Sequence, residues 1–132
     1  MLKDVLQDFT VNSRTTYTVL EETVHDVPAG FIIFGKTPLT QFCWDVYWLV
    51  VSPEFQRKGV GKKLLSRVLD HLVMTGEKII VRVETSTRKE YANARNFYVK
   101  MGFVEAGRIK DFYSREDDLI VFCRYLSRMP GN

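Results

Sequence analysis

The hydrophobic positions of the chain follow two different periods, and these periods divide the sequence into short structural elements. Apolar residues at helical spacing begin at Val60 and end near Gly76, which predicts an amphipathic helix. A second helical pattern spans residues 91–101 and stops at Gly102, a residue type that commonly ends helices. A shorter pattern of the same period covers residues 2–9. The sequence therefore predicts three helices.

Six other segments are rich in β-branched and aromatic residues and are bounded by turn residues, which is typical of β-strands. The sequence "HDVPAG" between the first two of them is interpreted as a turn. The predicted strands are residues 16–22, 30–35, 41–51, 78–85, 103–113 and 118–126.

The order of these elements is one helix, three strands, a helix, a strand, a helix and two strands. The strand–helix–strand unit in the middle predicts one parallel pair with a right-handed crossover. The other strands are joined by short turns and are predicted to pair antiparallel. The predicted fold class is α/β (α+β), a mixed and mostly antiparallel sheet with a central parallel pair and helices on both faces.

The composition fits one globular domain that covers residues 1–132. A hydrophobic content of 45% together with 27% charged residues argues against a disordered chain. The net charge of +3 is spread along the sequence, so it does not by itself indicate a nucleic-acid partner. No apolar run reaches the ~20 residues needed to span a bilayer, and the first residues lack the apolar region of a signal peptide.

The two cysteines, Cys43 and Cys123, lie in strand-like apolar segments. We interpret them as buried free thiols rather than a disulfide, which predicts a cytoplasmic protein without a membrane partner. The histidines, His25 and His71, fall in a turn and on a helix, far from any matching ligand. No spacing typical of a metal site occurs, so no metal ion is predicted.

The stretch "SPEFQRKGVGKKLL" places two spaced glycines directly before the long helix. Backbone N–H groups at a helix N-terminus are free, and the helix dipole favours an anion there. Gly59 and Gly61 have no Cβ, so the backbone can close around an oxyanion. The alternative is an ordinary loop with solvated basic residues. The spacing excludes a P-loop and the dinucleotide fingerprint. The residues that would add counter-charge are Arg57, Lys58, Lys62 and Lys63.

Two motifs in the same order resemble the GNAT superfamily of acetyltransferases. The first, Gln56-x-x-Gly59-x-Gly61, is similar to the family's acetyl-CoA signature, Q/R-x-x-G-x-G/A. The second, "NARNFYVKMGFVEAGR", resembles a helix with A-x-x-F-Y that is followed by a G-F turn into a strand. The resemblance runs from about Thr16 to the C-terminus and is strongest to a prokaryotic branch of mostly uncharacterised N-acetyltransferases. The strand–helix unit with which the family usually begins is not found in the sequence.

The resemblance implies an enzyme that moves an acetyl group from acetyl-CoA to a primary amine, in a small molecule or a peptide, by direct attack in a ternary complex. It implies that the parallel strands splay at the cofactor site. The pantetheine arm would pair with the backbone of Leu49, Val50 and Val51, and an N–H near Val50 or Val51 would stabilise the oxyanion. The pyrophosphate would bind to Gln56, Arg57, Lys58, Gly59, Val60, Gly61 and Lys62.

Tyr98 matches the family's tyrosine on the second helix, which gives a proton to the departing thiolate. The alternative is a core aromatic residue. The base is either Glu84, at the end of the next parallel strand, or Asp45, on the strand that leads to the cofactor site. Related enzymes have a glutamate in a place similar to that of Glu84, while Asp45 could instead accept structural hydrogen bonds. An asparagine that often contacts the cofactor is replaced here by Tyr91, which leaves Asn93 as the nearest candidate.

Two further readings stay open from the sequence. The segment "DFYSREDD", residues 111–118, contains acids that would attract a cationic amine or form a solvated hairpin turn. A sheet edge exposed by the missing first unit would either be covered by a second protomer, which would give a homodimer, or stay open as an aggregation risk. The rival function is a non-catalytic acyl-CoA-binding or regulatory module. A nucleic-acid binder lacks a recognition motif in this sequence.

Overall fold

The computed structural model describes residues 16–76 and 78–127, and the predicted helix at residues 2–9 lies outside them. The order of strands and helices agrees with the prediction. Short 3-10 turns at Pro53–Phe55 and Lys89–Tyr91 precede the two helices. The elements are β1 (Thr18–Val24), β2 (Val27–Lys36), β3 (Cys43–Val51), α1 (Val60–Val73), β4 (Lys78–Ser86), α2 (Ala92–Lys100), β5 (Val104–Ser114) and β6 (Asp117–Ser127).

The six strands form one sheet in the order β1-β2-β3-β4-β6-β5. β3 and β4 are parallel, and every other neighbouring pair is antiparallel, which confirms the predicted mixed sheet. The parallel pair is short, because only Cys43–Asp45 pair with Ile80–Arg82. Beyond these three residue pairs the two strands separate.

The core lies between the sheet and one face of each helix. Phe34 and Val81 on the sheet are almost fully buried and belong to the same cluster as Tyr98 on α2. Both described helices therefore cover the same face of the sheet. The helix predicted at residues 2–9, which could cover the other face, lies outside the described residues. The buried stripe of α1 is Val60, Leu64, Leu65, Val68, Leu69 and Leu72.

One predicted boundary is wrong. The turn between β1 and β2 is only His25 and Asp26, both with positive φ, and β2 already begins at Val27. The strand includes Pro28 because the pairing register shifts between Glu22 and Thr23 at this point. Such a shift breaks the regular ladder, so a residue without an N–H is tolerated there.

Both cysteines are free thiols, as predicted, although Cys43 is only half-buried whereas Cys123 is buried. Burial also raises the pKa of the Cys123 thiol. Within the described ranges, no helix is long and apolar enough to cross a membrane.

Candidate active site

The separation of β3 from β4 opens a cleft of about 420 Å³ in the middle of the sheet. Ligand pockets in proteins typically fall in the range of about 300–1,000 Å³, so this cleft can hold the reacting parts of two small groups. The walls come from β3, from the end of β4, from α2 and from the β5–β6 hairpin. Side chains from both faces of the sheet therefore meet in one opening.

A β-bulge in β3 lies beside the opening. Ile33 pairs with Trp48, but the next residue of β2, Phe34, pairs with Val46, so Tyr47 has no opposite residue. A bulge bends its strand and re-aims the side chains that follow. Tyr47 and Trp48 both line the cleft, and Trp48 is 63% exposed.

The backbone of β3 presents a free edge to the cleft. The Ser52 N–H donates to the Ala29 carbonyl at 2.8 Å, so Ser52 faces β2. Because alternate residues of a strand point their N–H and C=O groups to opposite sides, Val50 also faces β2, whereas Leu49 and Val51 face the cleft. The Val51 carbonyl accordingly accepts a hydrogen bond from Gln56 Nε2 at 3.2 Å. The register thus excludes Val50 as the predicted oxyanion donor and leaves Val51 and Leu49.

The turn after β3 gathers free backbone donors. Arg57 and Gly59 have φ values of 63° and 81°, and a left-handed conformation at Arg57 costs about 1 kcal/mol or more. A Cβ added at Gly59 would meet no atom within 4 Å, so the backbone there is open. The first helical hydrogen bond of α1 runs from the Lys63 N–H to the Gly59 carbonyl at 3.0 Å. The N–H groups of the three residues between them therefore have no partner within the helix.

Basic side chains around this turn differ in their availability. Lys63 forms an ion pair with Glu22 at 2.8 Å, so its predicted role as counter-charge for an anion is not supported. The hydrogen bond from Lys63 is also the main cause of the lowered pKa of Glu22. Arg57 and Lys62 are exposed and have no carboxylate partner among the described residues, and Lys58 lies over the Phe55 ring at 5.8 Å.

Tyr98 lines the cleft from α2 and is 7% exposed. Its ring packs against Phe97, Phe103 and Phe122, so it is also part of the core. Burial raises the pKa of Tyr98 to about 12, which keeps the phenol protonated. In the described part of the chain, its hydroxyl makes no hydrogen bond and yet is not sealed from solvent, so the hydroxyl opens to the cleft.

Glu84 lines the cleft from β4. Glu84 is exposed, and its carboxylate forms no hydrogen bond or ion pair with residues 16–76 or 78–127. Strand alternation places Glu84 on the opposite face of the sheet from Val83, which belongs to the core cluster with Tyr98. Glu84 and Tyr98 therefore approach the opening from its two sides.

Asp45 lies below the cleft rather than in its lining, and it is 7% exposed. Arg82 donates to both of its oxygens, from Nε at 2.6 Å and from a terminal nitrogen at 3.2 Å. The Thr37 hydroxyl donates to the second oxygen at 2.8 Å. The hydrogen bond that Arg82 donates to Asp45 also raises the pKa of the Arg82 guanidinium. This arrangement supports a structural role for Asp45, which holds Arg82 at the last residue pair of the parallel strands.

We expect Asp45→Asn to lower stability without slowing the chemistry. The change removes the charge that compensates Arg82, and it should cost about 2 kcal/mol, the value of a buried hydrogen-bonded charge pair. Thermal melting would measure this loss, and kcat/KM at a temperature well below the melting transition should stay close to wild type. Asp70→Asn, on the exposed face of α1, is the matched control. A large fall in kcat with unchanged melting would instead restore Asp45 as the base.

Ala94 and Tyr98 on α2 meet the cleft together with Tyr91, the residue directly before this helix, and the three follow helical spacing. Asn93 is exposed and lies off this face, so the structure does not bring it to the cleft. The half-exposed Tyr91 takes the place beside the cleft where the family often has asparagine.

The β5–β6 hairpin closes the remaining side of the cleft. The carboxylates of Asp111 and Asp118 accept hydrogen bonds within the turn. The Asp111 N–H donates to Asp118 at 2.9 Å, and the Glu116 N–H donates to Asp111 at 2.8 Å. Tyr113 and Asp117 are different, since both line the cleft. In the sequence these acids formed one cluster, and the structure separates Asp117 from the others by its burial and its place in the cleft. Over the described ranges, no three metal-ligating side chains come together.

Comparison with known proteins agrees with this geometry. The profile of the "Acetyltransferase (GNAT) domain" matches residues 13–105. The ribosomal protein bS18-alanine N-acetyltransferase of Salmonella typhimurium is 31% identical over an alignment of 117 residues, and the match covers 83% of this chain and 73% of that protein. A crystal structure from Desulfovibrio desulfuricans, assigned to the GNAT acetyltransferases, superimposes with a TM-score of 0.81 at 32% identity and covers 93% of this chain and 75% of that one.

A second similar structure contains acetyl coenzyme A. A protein from Bacillus anthracis described as a streptothricin acetyltransferase was crystallised with acetyl coenzyme A, and it shares this fold with a TM-score of 0.75 at 19% identity. The match covers 91% of this chain and 68% of that one. The profile match and the Salmonella relative extend the likeness from the fold to the sequence. The chain belongs to the GNAT family of acetyltransferases, which use acetyl-CoA as the acetyl donor.

Proposed function

We propose that the chain transfers an acetyl group from acetyl-CoA to the α-amine of a polypeptide, by direct attack within the cleft between β3 and β4. The observation that carries this proposal is the early separation of the parallel pair after Asp45 and Arg82. It leaves a free backbone edge between a protonated phenol on one side and an unpaired carboxylate on the other. The cleft therefore offers a donor site and an acceptor site that meet at one point.

The donor side fits acetyl-CoA. The open turn at Gly59 and the free N–H groups at the start of α1 suit a pyrophosphate, and Arg57, Lys58 and Lys62 supply positive charge. Val60 contributes only its N–H, because its side chain is buried against Gly30. Gly61 packs between Val51 and Phe97, which lets the helix start close to the end of β3.

The two neighbouring lysines of α1 test this donor site. We expect Lys62→Gln to weaken acetyl-CoA binding about threefold, the effect of an exposed ion pair of roughly 0.5–1 kcal/mol. The difference should shrink at high salt, because exposed charges are screened. Calorimetric titration at low and high salt measures both effects. Lys63→Gln is the matched control, since Lys63 is held by Glu22. Equal effects of the two changes would argue against a phosphate contact at Lys62.

The chemistry needs one proton removed from the acceptor before attack, because an ammonium has no lone pair. Glu84 receives that proton, directly or through water. The amine nitrogen then forms a bond to the carbonyl carbon, and the N–H groups of Val51 and Leu49 stabilise the negative charge on the carbonyl oxygen. The carbon–sulfur bond breaks, the sulfur leaves as a thiolate, and the second amine proton ends on that sulfur.

Tyr98 is suited to stabilise the leaving sulfur. With a pKa of about 12, its phenol is a poorer acid than an ordinary tyrosine. Full proton transfer to a thiolate with a pKa near 8.5 would therefore be uphill by about 5 kcal/mol. A neutral phenol can nevertheless donate a strong hydrogen bond to the developing thiolate. We therefore assign Tyr98 as a hydrogen-bond donor that guides the proton of the amine to the sulfur.

The acceptor side favours an amine at the end of a peptide. The Salmonella relative acts on alanine of a ribosomal protein, and the acceptor wall here is open and aromatic, with Trp48, Tyr91 and Tyr113 exposed. Such a wall can accept the chain that follows a terminal amine.

A thiol-release assay over a panel of amines tests the proposal. The panel contains a hexapeptide with a free N-terminal alanine, the same peptide with a blocked N-terminus and an internal lysine, spermidine and an amino sugar. The proposal predicts the highest kcat/KM for the free N-terminus. If only the lysine peptide or the amino sugar is acetylated, the proposed acceptor is wrong. If acetyl-CoA binds but no amine is acetylated, the chain is better described as an acyl-CoA-binding module.

A further inference from the structure

Asp117 is a carboxylate in the cleft whose role the acetyl-transfer chemistry above does not use. It is the first residue of β6, it is 6% exposed, and it lines the cleft, whereas Glu116 and Asp118 beside it do not. A buried carboxylate is costly unless hydrogen bonds or a cation compensate it. The partners of Asp117 therefore indicate what it is placed to bind.

One oxygen of Asp117 is held by the protein. The Ser86 hydroxyl donates to Oδ1, and the Ser86 oxygen in turn accepts the Arg88 N–H at 3.0 Å. The end of β4 thus fixes the orientation of the carboxylate. Within residues 16–76 and 78–127, Oδ2 accepts no hydrogen bond, and no buried side-chain oxygen lacks a partner. Oδ2 therefore reaches solvent, and Asp117 is one of the residues that line the cleft.

The surroundings of Oδ2 are acidic and aromatic. Burial raises the pKa of the Tyr113 phenol, and the negative charges of Glu84 and Asp117 raise it further. Both carboxylates therefore lie within electrostatic reach of one phenol. Arg88 is the cation of the lining, and its guanidinium is bound to Glu90 at 3.0 Å. Arg95 lies outside the lining and donates to the backbone carbonyls of Ser86 and Arg88 at 2.7 Å. The site has an excess of negative charge and aromatic ring faces, which are the groups that bind an ammonium.

We propose that Asp117 binds the ammonium form of the acceptor, with Oδ2 accepting a hydrogen bond from the nitrogen while Glu84 receives the proton. This inference rests on the proposed function and deepens it by separating the binding carboxylate from the base. It also defines the acceptor class. A free amino acid would bring its own carboxylate next to Glu84 and Asp117 and be repelled, whereas a peptide N-terminus carries an amide there.

The test uses the full chain and three forms of one hexapeptide with N-terminal alanine, namely the free, the N,N-dimethylated and the N-acetylated peptide. The dimethylated form keeps the positive charge and one N–H but cannot be acetylated, and the acetylated form is neutral. In Asp117→Asn, we expect KM for the free peptide and Kd for the dimethylated peptide to rise at least about tenfold, the loss of one charge-assisted hydrogen bond. Binding of the acetylated peptide and KM for acetyl-CoA should not change.

Glu116→Gln removes a charge from the same turn outside the cleft and serves as the control. Ser86→Ala, which frees Oδ1 but keeps the charge, should give a smaller increase in KM. Equal weakening of the dimethylated and acetylated peptides would indicate a structural role and overturn the inference, as would values for Asp117→Asn that match Glu116→Gln. A wild-type chain that binds the dimethylated peptide but acetylates no amine would refute the proposed function while leaving the ammonium site standing.

Discussion

Tyr98→Phe is expected to lower kcat by about 100-fold or more, the contribution of one positioned hydrogen-bond donor to a developing negative charge. The substitution removes only the hydroxyl that opens to the cleft, and the ring contacts with Phe97, Phe103 and Phe122 are retained. KM for acetyl-CoA and the melting temperature should therefore stay close to wild type. Stopped or continuous thiol-release assays at saturating acetyl-CoA measure the effect.

The pH profile sharpens this prediction. Tyr98 loses its donor proton only as the pH approaches about 12, because burial disfavours the phenolate. The rate of the wild type should therefore not fall between about pH 8 and 10, where an ordinary tyrosine near 10 begins to ionise. Tyr125→Phe, on an exposed part of β6, is the control. An equal rate for Tyr98→Phe and wild type would remove Tyr98 from the mechanism.

Glu84→Gln is expected to reduce kcat/KM about 100-fold near pH 6.5, in line with the loss of a general base. The loss should shrink above about pH 8, because an α-amine then loses its proton to water without help. Rates measured from pH 6 to 9.5 with the N-terminal alanine peptide test both statements. Gln keeps the size of the side chain, so acetyl-CoA binding should be unaffected.

Glu21→Gln, on the exposed strand β1, controls for a general loss of negative charge. The result that contradicts the assignment is a reduction that stays constant across this pH range. A constant reduction would mean that Glu84 orients the acceptor without taking its proton. Comparison with Asp45→Asn completes the test, because Asp45→Asn should lower the stability and Glu84→Gln should lower the rate.

The fold could be predicted from local patterns because its elements follow their periods closely. The stripe that begins at Val60 gave the main helix, and the strand–helix–strand order gave the parallel pair. The bulge at Tyr47 could not be predicted, since it is set by the pairing of β3 with β2 and leaves no local mark in the sequence. The same holds for Pro28, whose place in a strand depends on a register shift in its partner.

The candidate site could be predicted where a motif fixes the backbone positions. It could be predicted less well where contacts between distant residues determine the role of a side chain. Gln56 to Lys62 follow each other along the turn, so their positions came with the motif. Asp45 and Glu84 were both candidates for the base in the sequence, with Glu84 ranked only just ahead. What separates them clearly is Arg82, a neighbour across the parallel pair that is 37 positions away from Asp45. Asp117 similarly differs from its neighbouring acids through a contact with Ser86, 31 positions away.

The central claim is acetyl transfer from acetyl-CoA to an amine in the cleft between β3 and β4. The most direct measurement incubates the chain with acetyl-CoA and the N-terminal alanine hexapeptide, and follows free thiol and acetylated peptide by mass spectrometry. The account predicts that both products appear in equal amounts, only when both substrates are present, and that Tyr98→Phe slows both alike. Acetyl-CoA that binds tightly but yields no acetylated amine across the panel would contradict it.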